Sequence, residues 1–167
     1  MDNKIIIVGI IILITFLSGC IQSDISKIDG LSSSINFHLK NGDVYLNNAT
    51  YDTNKAIYNY ALTNCENATS EFKKARKFAF EGFTYAQNSN NTIYINYMQS
   101  VLDEIDAKLN ATNELKTAIP LLINNNTIDA NNHIGNANGF IEKATGFYSQ
   151  RNAIIRQNPD KFKIINN

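Results

Sequence analysis

The chain has 167 residues, with 15 basic and 15 acidic side chains and two cysteines. The balanced charge excludes attraction of nucleic acid or anionic lipid by net charge alone. Without its apolar N-terminal stretch the chain keeps roughly 150 residues, which is enough for one domain with its own core.

The N-terminal residues carry the most specific pattern in the sequence. Lys4 precedes an uncharged apolar run from Ile5 to Leu17, as in a secretory leader. The run closes with Leu17-Ser18-Gly19-Cys20, which resembles the lipobox of prokaryotic, in particular archaeal, membrane lipoproteins. The resemblance implies that the Cys20 thiol receives a diacylglyceryl-type lipid and that cleavage makes Cys20 the new N-terminus. The alternative is an uncleaved signal anchor from Ile5 to Ile21, at the lower length limit for crossing a bilayer.

Four segments follow from this interpretation. They are a signal peptide or anchor at 1–19, a lipidated tether at 20–24, a helical bundle domain at 25–157 and a C-terminal tail at 158–167. Cleaved or uncleaved, the leader places the body on the extracytoplasmic side of the cell membrane, held at its N-terminal end. If Cys20 is lipidated, Cys65 has no partner for an internal disulfide, and we interpret it as a small buried apolar residue.

From Ile25 onward, apolar residues recur at helical spacing, and strand signals are weak. The first predicted helix runs from Ile25 to Gly42, which is typical of a C-terminal stop. The second runs from about Val44 to Asn64, and a polar turn with a helix cap is predicted at 67–71.

Three further helices are predicted. The third ends in the polar stretch 87–91, and the fourth begins near Thr92 and is expected to kink or stop at Pro120. The fifth follows a turn at 124–127 and fades before Pro159. Its apolar stripe comprises Ala130, Ile134, Ala137, Ile141, Ala144 and Tyr148.

These elements predict an all-α protein, an up-and-down bundle of about five helices after an N-terminal signal or anchor helix. A tetratricopeptide-like array is the second possibility, because the spacing of Tyr, Ala and Phe hints at it. The 34-residue period of that repeat does not recur convincingly, so the bundle is preferred.

Five Asn-x-Thr sequons are candidate N-glycosylation sites in an exported archaeal protein. Their acceptor residues are Asn48, Asn67, Asn90, Asn110 and Asn125. Asn67, Asn90 and Asn125 are expected at exposed connections, and Asn110 in the middle of a helix. The alternative is that these residues serve as helix caps and turn residues, which Asn and Thr favour.

Three glycines of the last helix, Gly135, Gly139 and Gly146, share one helix face. Each costs about 1 kcal/mol relative to alanine, so a neighbouring helix is expected to approach this face closely. A self-association face, by analogy with small-residue motifs of membrane helices, is the alternative.

Two charge clusters stand out. Lys73, Lys74, Arg76 and Lys77 are basic, and Asp103, Glu104 and Asp106 are acidic. Both are interpreted as solvated helix faces that face each other across the bundle. A basic patch that touches anionic headgroups is the alternative for the first cluster.

No motif for chemistry is present. His38 and His133 lack a carboxylate or cysteine at metal-ligand spacing, and there is no phosphate-binding loop or hydrolase elbow. No catalytic residue, metal or cofactor is therefore predicted. An enzyme would need a cluster that converges around one of these histidines in space.

The remaining hypotheses concern binding. The first is a cell-surface interaction module with a protein or envelope partner and no nucleic acid. The second is a small-ligand sensor or transporter accessory, with a pocket between helices lined by Tyr58, Tyr60, Phe83 or Tyr148. A cavity of roughly 300 Å³ with converging polar groups would favour the second hypothesis.

Overall fold

The computed structural model describes the backbone of residues 3–162 and the side chains of residues 24–162. It is an up-and-down bundle of four helices: α1 (Asn3–Asn54), α2 (Tyr58–Asn88), α3 (Thr92–Ile123) and α4 (Thr127–Gln157). No strand occurs between residues 3 and 162. The all-α bundle is confirmed, but it has four helices where five were predicted.

The error lies in the first half of the chain, where the predicted breaks at Gly42 and at 67–71 are absent. Gly42 is buried inside α1, and a Cβ at this position would collide with the ring of Phe72 on α2. Glycine is therefore required there by a close helix contact and not by a helix end. The real break lies at 55–57, where Ala56 takes a φ of 57°.

The three connections share one geometry. Ala56, Asn90 and Asn125 have positive φ, and the amide of the following residue reaches back to the last helical turn. In the first connection the Ile57 amide donates to the Asp52 carbonyl over 2.8 Å, which satisfies a carbonyl that the helix leaves unpaired. Each interval between two successive connections contains one long helix, whereas each repeat of a tetratricopeptide array contains two shorter helices. Pro120 lies inside the last turn of α3 and does not stop it.

Most of the core forms a seam of heptad spacing. The buried residues of α2 alternate at three- and four-residue steps: Ala61, Cys65, Ala68, Phe72, Ala75, Ala79, Gly82 and Ala86. This spacing is that of coiled-coil packing. Because nearly all of these side chains are small, α1 and α3 can approach α2 closely.

The bundle is open between its first and last helices. α1 packs on α2, α2 on α3 and α3 on α4, but within the residues described no Cα of α1 lies within 8 Å of one in α4. Three alanines, Ala130, Ala137 and Ala144, are the buried residues of α4. Ile141 and Tyr148 were predicted in the same stripe, but they are 39% and 48% exposed because they border the gap towards α1.

Part of the predicted C-terminal tail is packed. Residues 158–162 fold onto the start of α3, where the Tyr94 hydroxyl donates to the Lys161 carbonyl over 2.6 Å. The Phe162 ring lies 5.0 Å from that of Tyr94 and 4.9 Å from that of Tyr97. The tail therefore covers one end of the core.

The predicted leader at 1–19, the tether at 20–24 and Cys20 lie outside the described side chains, except for Asp24 at the end of the tether. Among the residues with described side chains, no helix combines the length and apolarity needed to cross a membrane.

Candidate functional site

The gap between α1 and α4 forms a cleft with α3 as its floor. Its volume is about 460 Å³, and its apolar walls include Leu39 and Leu46 of α1 and Ile141 of α4. A second cavity of about 240 Å³ adjoins it and shares Leu46 and Ile141 with it. We call the two together the α1–α4 cleft.

The cleft exists because α3 carries two buried faces. One face, with Met98 and Ile105, belongs to the main core with α1 and α2. The other contains alanines that are buried outside this core, as are the three buried alanines of α4. The small side chains hold α4 close to α3 but reach no further, so α1 and α4 stay apart.

A row of charges crosses the floor of the cleft. Glu104 of α3 is only 2% exposed, and its Oε1 lies 3.0 Å from the Nζ of Lys108. Lys108 Nζ also lies 2.8 Å from a carboxylate oxygen of Asp43 on α1. On the other side, Glu104 Oε2 lies 2.9 Å from the Nε of Arg151 on α4. The row therefore connects all three helices that surround the cleft.

Arg151 has unused hydrogen-bonding capacity. Its side chain is 12% exposed, and its guanidinium lies 4.9 Å from the centre of the Tyr148 ring. The Nε and Glu104 Oε2 are both buried and lie only 2.9 Å apart, but neither atom makes a hydrogen bond, because the N–H group is poorly aligned with the oxygen. The contact is thus an ion pair, and the two Nη groups make no hydrogen bond within residues 24–162.

The net charge of the cleft is positive. Lys40, Lys108 and Arg151 line it together with Asp43 and Glu104, which leaves one cation in excess. Lys40 lies at the rim and makes no ion pair among the described residues. Positive charge between apolar walls can bind an anion that carries an apolar body.

The two histidines do not build a site together. His38 Nδ1 lies 2.7 Å from Glu71 between α1 and α2, and His133 Nδ1 lies 2.7 Å from Glu114 between α3 and α4. The hydrogen bond with His38, followed by that with Lys74, lowers the pKa of Glu71. The hydrogen bond with His133 likewise lowers the pKa of Glu114. Within residues 24–162 no three potential metal ligands converge.

All five sequon asparagines are exposed. Asn90 and Asn125 lie in connections, as predicted, and Asn110 lies within α3. Asn67 was expected in a connection but lies within α2, and Asn48 lies within α1. In the helical sequons the threonine hydroxyl donates to the carbonyl four residues earlier, as Thr112 does over 2.8 Å. These three sequons are therefore fixed in helical geometry.

The interpretation of the charge clusters is correct for one pair and wrong for one residue. Arg76 donates from Nε and Nη2 to the two oxygens of Asp106, over 2.6 and 3.2 Å, so the clusters do face each other across α2 and α3. Glu104 belongs to the same acidic run but is buried in the cleft floor, not solvated.

The glycine face of α4 has no neighbouring helix. A Cβ on Gly135, Gly139 or Gly146 would have nothing within 4 Å. The predicted close approach is therefore wrong at these positions, since α4 meets α3 through its alanines. Between residues 24 and 162, Gly42 and Gly82 are the glycines at which a side chain would meet a close neighbour.

The other singled-out residues have different positions. Cys65 is fully buried, and burial raises the pKa of its thiol to about 11, as fits a small apolar residue. Of the proposed pocket residues, Tyr148 lines the cleft, whereas Tyr58 and Phe83 pack on the core and Tyr60 is exposed.

Sequence reasoning missed the charged floor of the cleft. Glu104 and Lys108 are four residues apart and so share a face of α3, which is a visible helical ion-pair pattern. Arg151 follows Ala144 at the same seven-residue step that separates the buried alanines of α4. That step placed an arginine on the inward face of the helix.

Comparison with known families, curated proteins and solved structures identifies no relative of this chain.

Proposed function

We propose that this protein is a membrane-anchored, extracytoplasmic binding module whose ligand occupies the α1–α4 cleft. The observation that carries the proposal is the cleft itself, with the Glu104 and Arg151 ion pair in its floor. The volume of its larger cavity, about 460 Å³, alone lies within the usual range for ligand sites. Charged side chains of α1, α3 and α4 also converge in its floor, as expected of a ligand site.

The composition of the cleft favours a site over a packing defect. Apolar side chains of similar volume would often stabilise a protein as well as a buried ion pair does. A buried carboxylate with two cations is therefore a costly way to fill a helix interface. Exposed Ile141 and Tyr148 on the opposite wall leave apolar surface available to a ligand.

The location rests on the sequence. The run Leu17-Ser18-Gly19-Cys20 supports lipid attachment at Cys20, and two lipid chains would hold the protein firmly to the membrane. Intact-mass measurement of the mature chain tests this directly. A cleaved species with added lipid mass, lost in Cys20→Ser, is expected, whereas an unmodified full-length chain would support the uncleaved anchor.

The ligand site is tested by filling the cleft. Ile141→Trp places an indole between α1 and α4 without changing a core residue, since Ile141 is already exposed. Native mass spectrometry of protein extracted gently from membranes should show a bound molecule on the wild type and its loss from this variant. Ile128→Trp, at a residue 76% exposed and outside the cleft lining, is the matched control. Equal loads on both variants would contradict the proposal.

A second candidate is supported by the outer face of α1. Phe37, Val44 and Tyr51 are 60%, 50% and 60% exposed and lie seven residues apart, so they form one apolar stripe. Such a stripe suits a helical protein partner. Crosslinking in native membranes should give an adduct that Val44→Asp abolishes and Ile128→Asp leaves unchanged. An adduct insensitive to both would exclude this face.

A further inference from the structure

We infer that the ligand of the α1–α4 cleft is an elongated amphiphile with one carboxylate head and an unbranched apolar tail. The inference rests on the proposed binding function and adds the chemical class of the ligand. It follows from the charge at one end of the cleft and from the lack of charge at the other.

The head group is assigned by Arg151. A guanidinium has five N–H donors, and none of those of Arg151 donates a hydrogen bond to Glu104, from whose Oε2 the Nε lies 2.9 Å away. The four N–H groups on the Nη nitrogens make no hydrogen bond within residues 24–162, and they are not sealed from solvent. Two parallel N–H groups match the two oxygens of a carboxylate. Lys40 at the rim supplies a second positive charge.

The charge of the head is limited by the acids nearby. Glu104 and Asp43 lie in the same floor and would repel a ligand with two negative charges. The cleft has one cation in excess, which balances a single negative charge. A carboxylate meets this condition, whereas a phosphate monoester carries about −1.5 to −2 charges at neutral pH.

The tail is assigned by the shape and lining of the adjoining cavity. No charged side chain lines the cavity that extends from Ile141 to Ile134. Its walls include Leu46, Leu115 and Ala137 together with uncharged threonine and asparagine side chains. From Arg151 to Ile134 the cleft follows α4 for about 26 Å, at 1.5 Å per residue. The uncharged part, from Ile141 to Ile134, takes about 10 Å of this length. An elongated ligand with its charge at one end and an apolar chain at the other matches this arrangement.

Photo-crosslinking of the full-length protein in non-ionic detergent tests the inference. The probes are a straight-chain carboxylic acid with a diazirine at its tail, and the alcohol and amine of the same chain length. Mass spectrometry then maps the labelled peptides of α1 and α4. At equal probe concentration, labelling of cleft peptides by the acid should exceed that by the alcohol about tenfold, which corresponds to one charge-assisted bidentate contact.

Variants at two arginines of α4 separate the head-group contact from general effects. Arg151→Gln should reduce acid labelling to the level of the alcohol, and exposed Arg156→Gln should leave it unchanged. If Arg151→Gln does not fold, Arg151→Lys keeps the charge without the planar fork and should still lower acid labelling. Undiminished acid labelling in a folded Arg151 variant would overturn the inference.

Other outcomes distinguish the inference from the function on which it rests. Equal cleft labelling by acid and alcohol, or stronger labelling by the amine, would overturn the carboxylate assignment and leave a binding cleft. If no probe labels the cleft and native protein carries no ligand that Ile141→Trp removes, both the inference and the proposed function fail.

Discussion

Gly42→Ala is the substitution that tests the fold most directly. In an open helical position, replacing glycine by alanine stabilises a helix by about 1 kcal/mol. At Gly42 the new methyl group would collide with the ring of Phe72, which is fully buried and has no space to move. Overpacking of this kind costs about 1–3 kcal/mol. At the upper end of that range, we expect a net loss of about 2 kcal/mol in the free energy of unfolding.

Equilibrium urea unfolding, followed by far-UV circular dichroism, measures the loss. Gly30→Ala is the matched control, because Gly30 lies in the same helix and a Cβ there has nothing within 4 Å. That variant should be more stable than the wild type by about 1 kcal/mol. The two alanine substitutions are thus expected to have opposite signs.

A double-mutant cycle identifies the contact responsible. Phe72→Leu shortens the side chain that the new methyl group would meet, so the double variant should recover most of the loss, with a coupling of about 2 kcal/mol. A glycine that ended a helix at 42 would also resist substitution, but it would show no coupling to Phe72. Additive effects of the two changes would therefore refute the continuous α1.

Three further predictions follow from burial and charge. Ala144→Asp should unfold the bundle, whereas Ile141→Asp should be tolerated because the carboxylate reaches the open cleft; thermal melting distinguishes them. Lys108→Met should cost about 3 kcal/mol in urea unfolding, because buried Glu104 loses one of its two cations. The fold lowers the pKa of Glu71 below its usual value of 4.5, so the ionised side chain stabilises the protein fully above pH 4.5, and this stabilisation is lost as the pH falls further. Glu71→Gln should therefore be less stable than the wild type at neutral pH. Urea unfolding at a series of pH values should show that this variant loses less stability than the wild type on acidification.

The second half of the fold was predictable because its turns carry recognisable residues. Asn90 and Asn125 take positive φ, which asparagine adopts more readily than most residues, and both connections were found from sequence. Ala56 does the same in the first connection, but alanine gives no sign of it. Gly42 was wrongly predicted to end a helix, because a glycine needed for close packing and a glycine that ends a helix look alike in sequence.

The cleft was harder to predict because it depends on the separation between α1 and α4, which do not contact each other in the described part of the chain. Spacing identified the face of α4 that carries Ala137, Ile141 and Ala144, but it could not show that only the alanines reach another helix. The burial of Glu104 depends on Arg151, which lies far along the chain on a different helix. Sequence periodicity reports the faces of single helices and not the separation between two of them.

Three reversals of direction bring residue 162 back to the end of the bundle from which α1 rises, where Phe162 packs beside Tyr94. If Cys20 carries the proposed lipid, a reporter fused directly after residue 162 would therefore lie close to the membrane anchor. On the same proposal, the connection at 124–126 lies at the end of the bundle away from the membrane and would suit an accessible epitope. Asn125 lies in that connection, so a sugar attached to it would extend from the end opposite the proposed anchor.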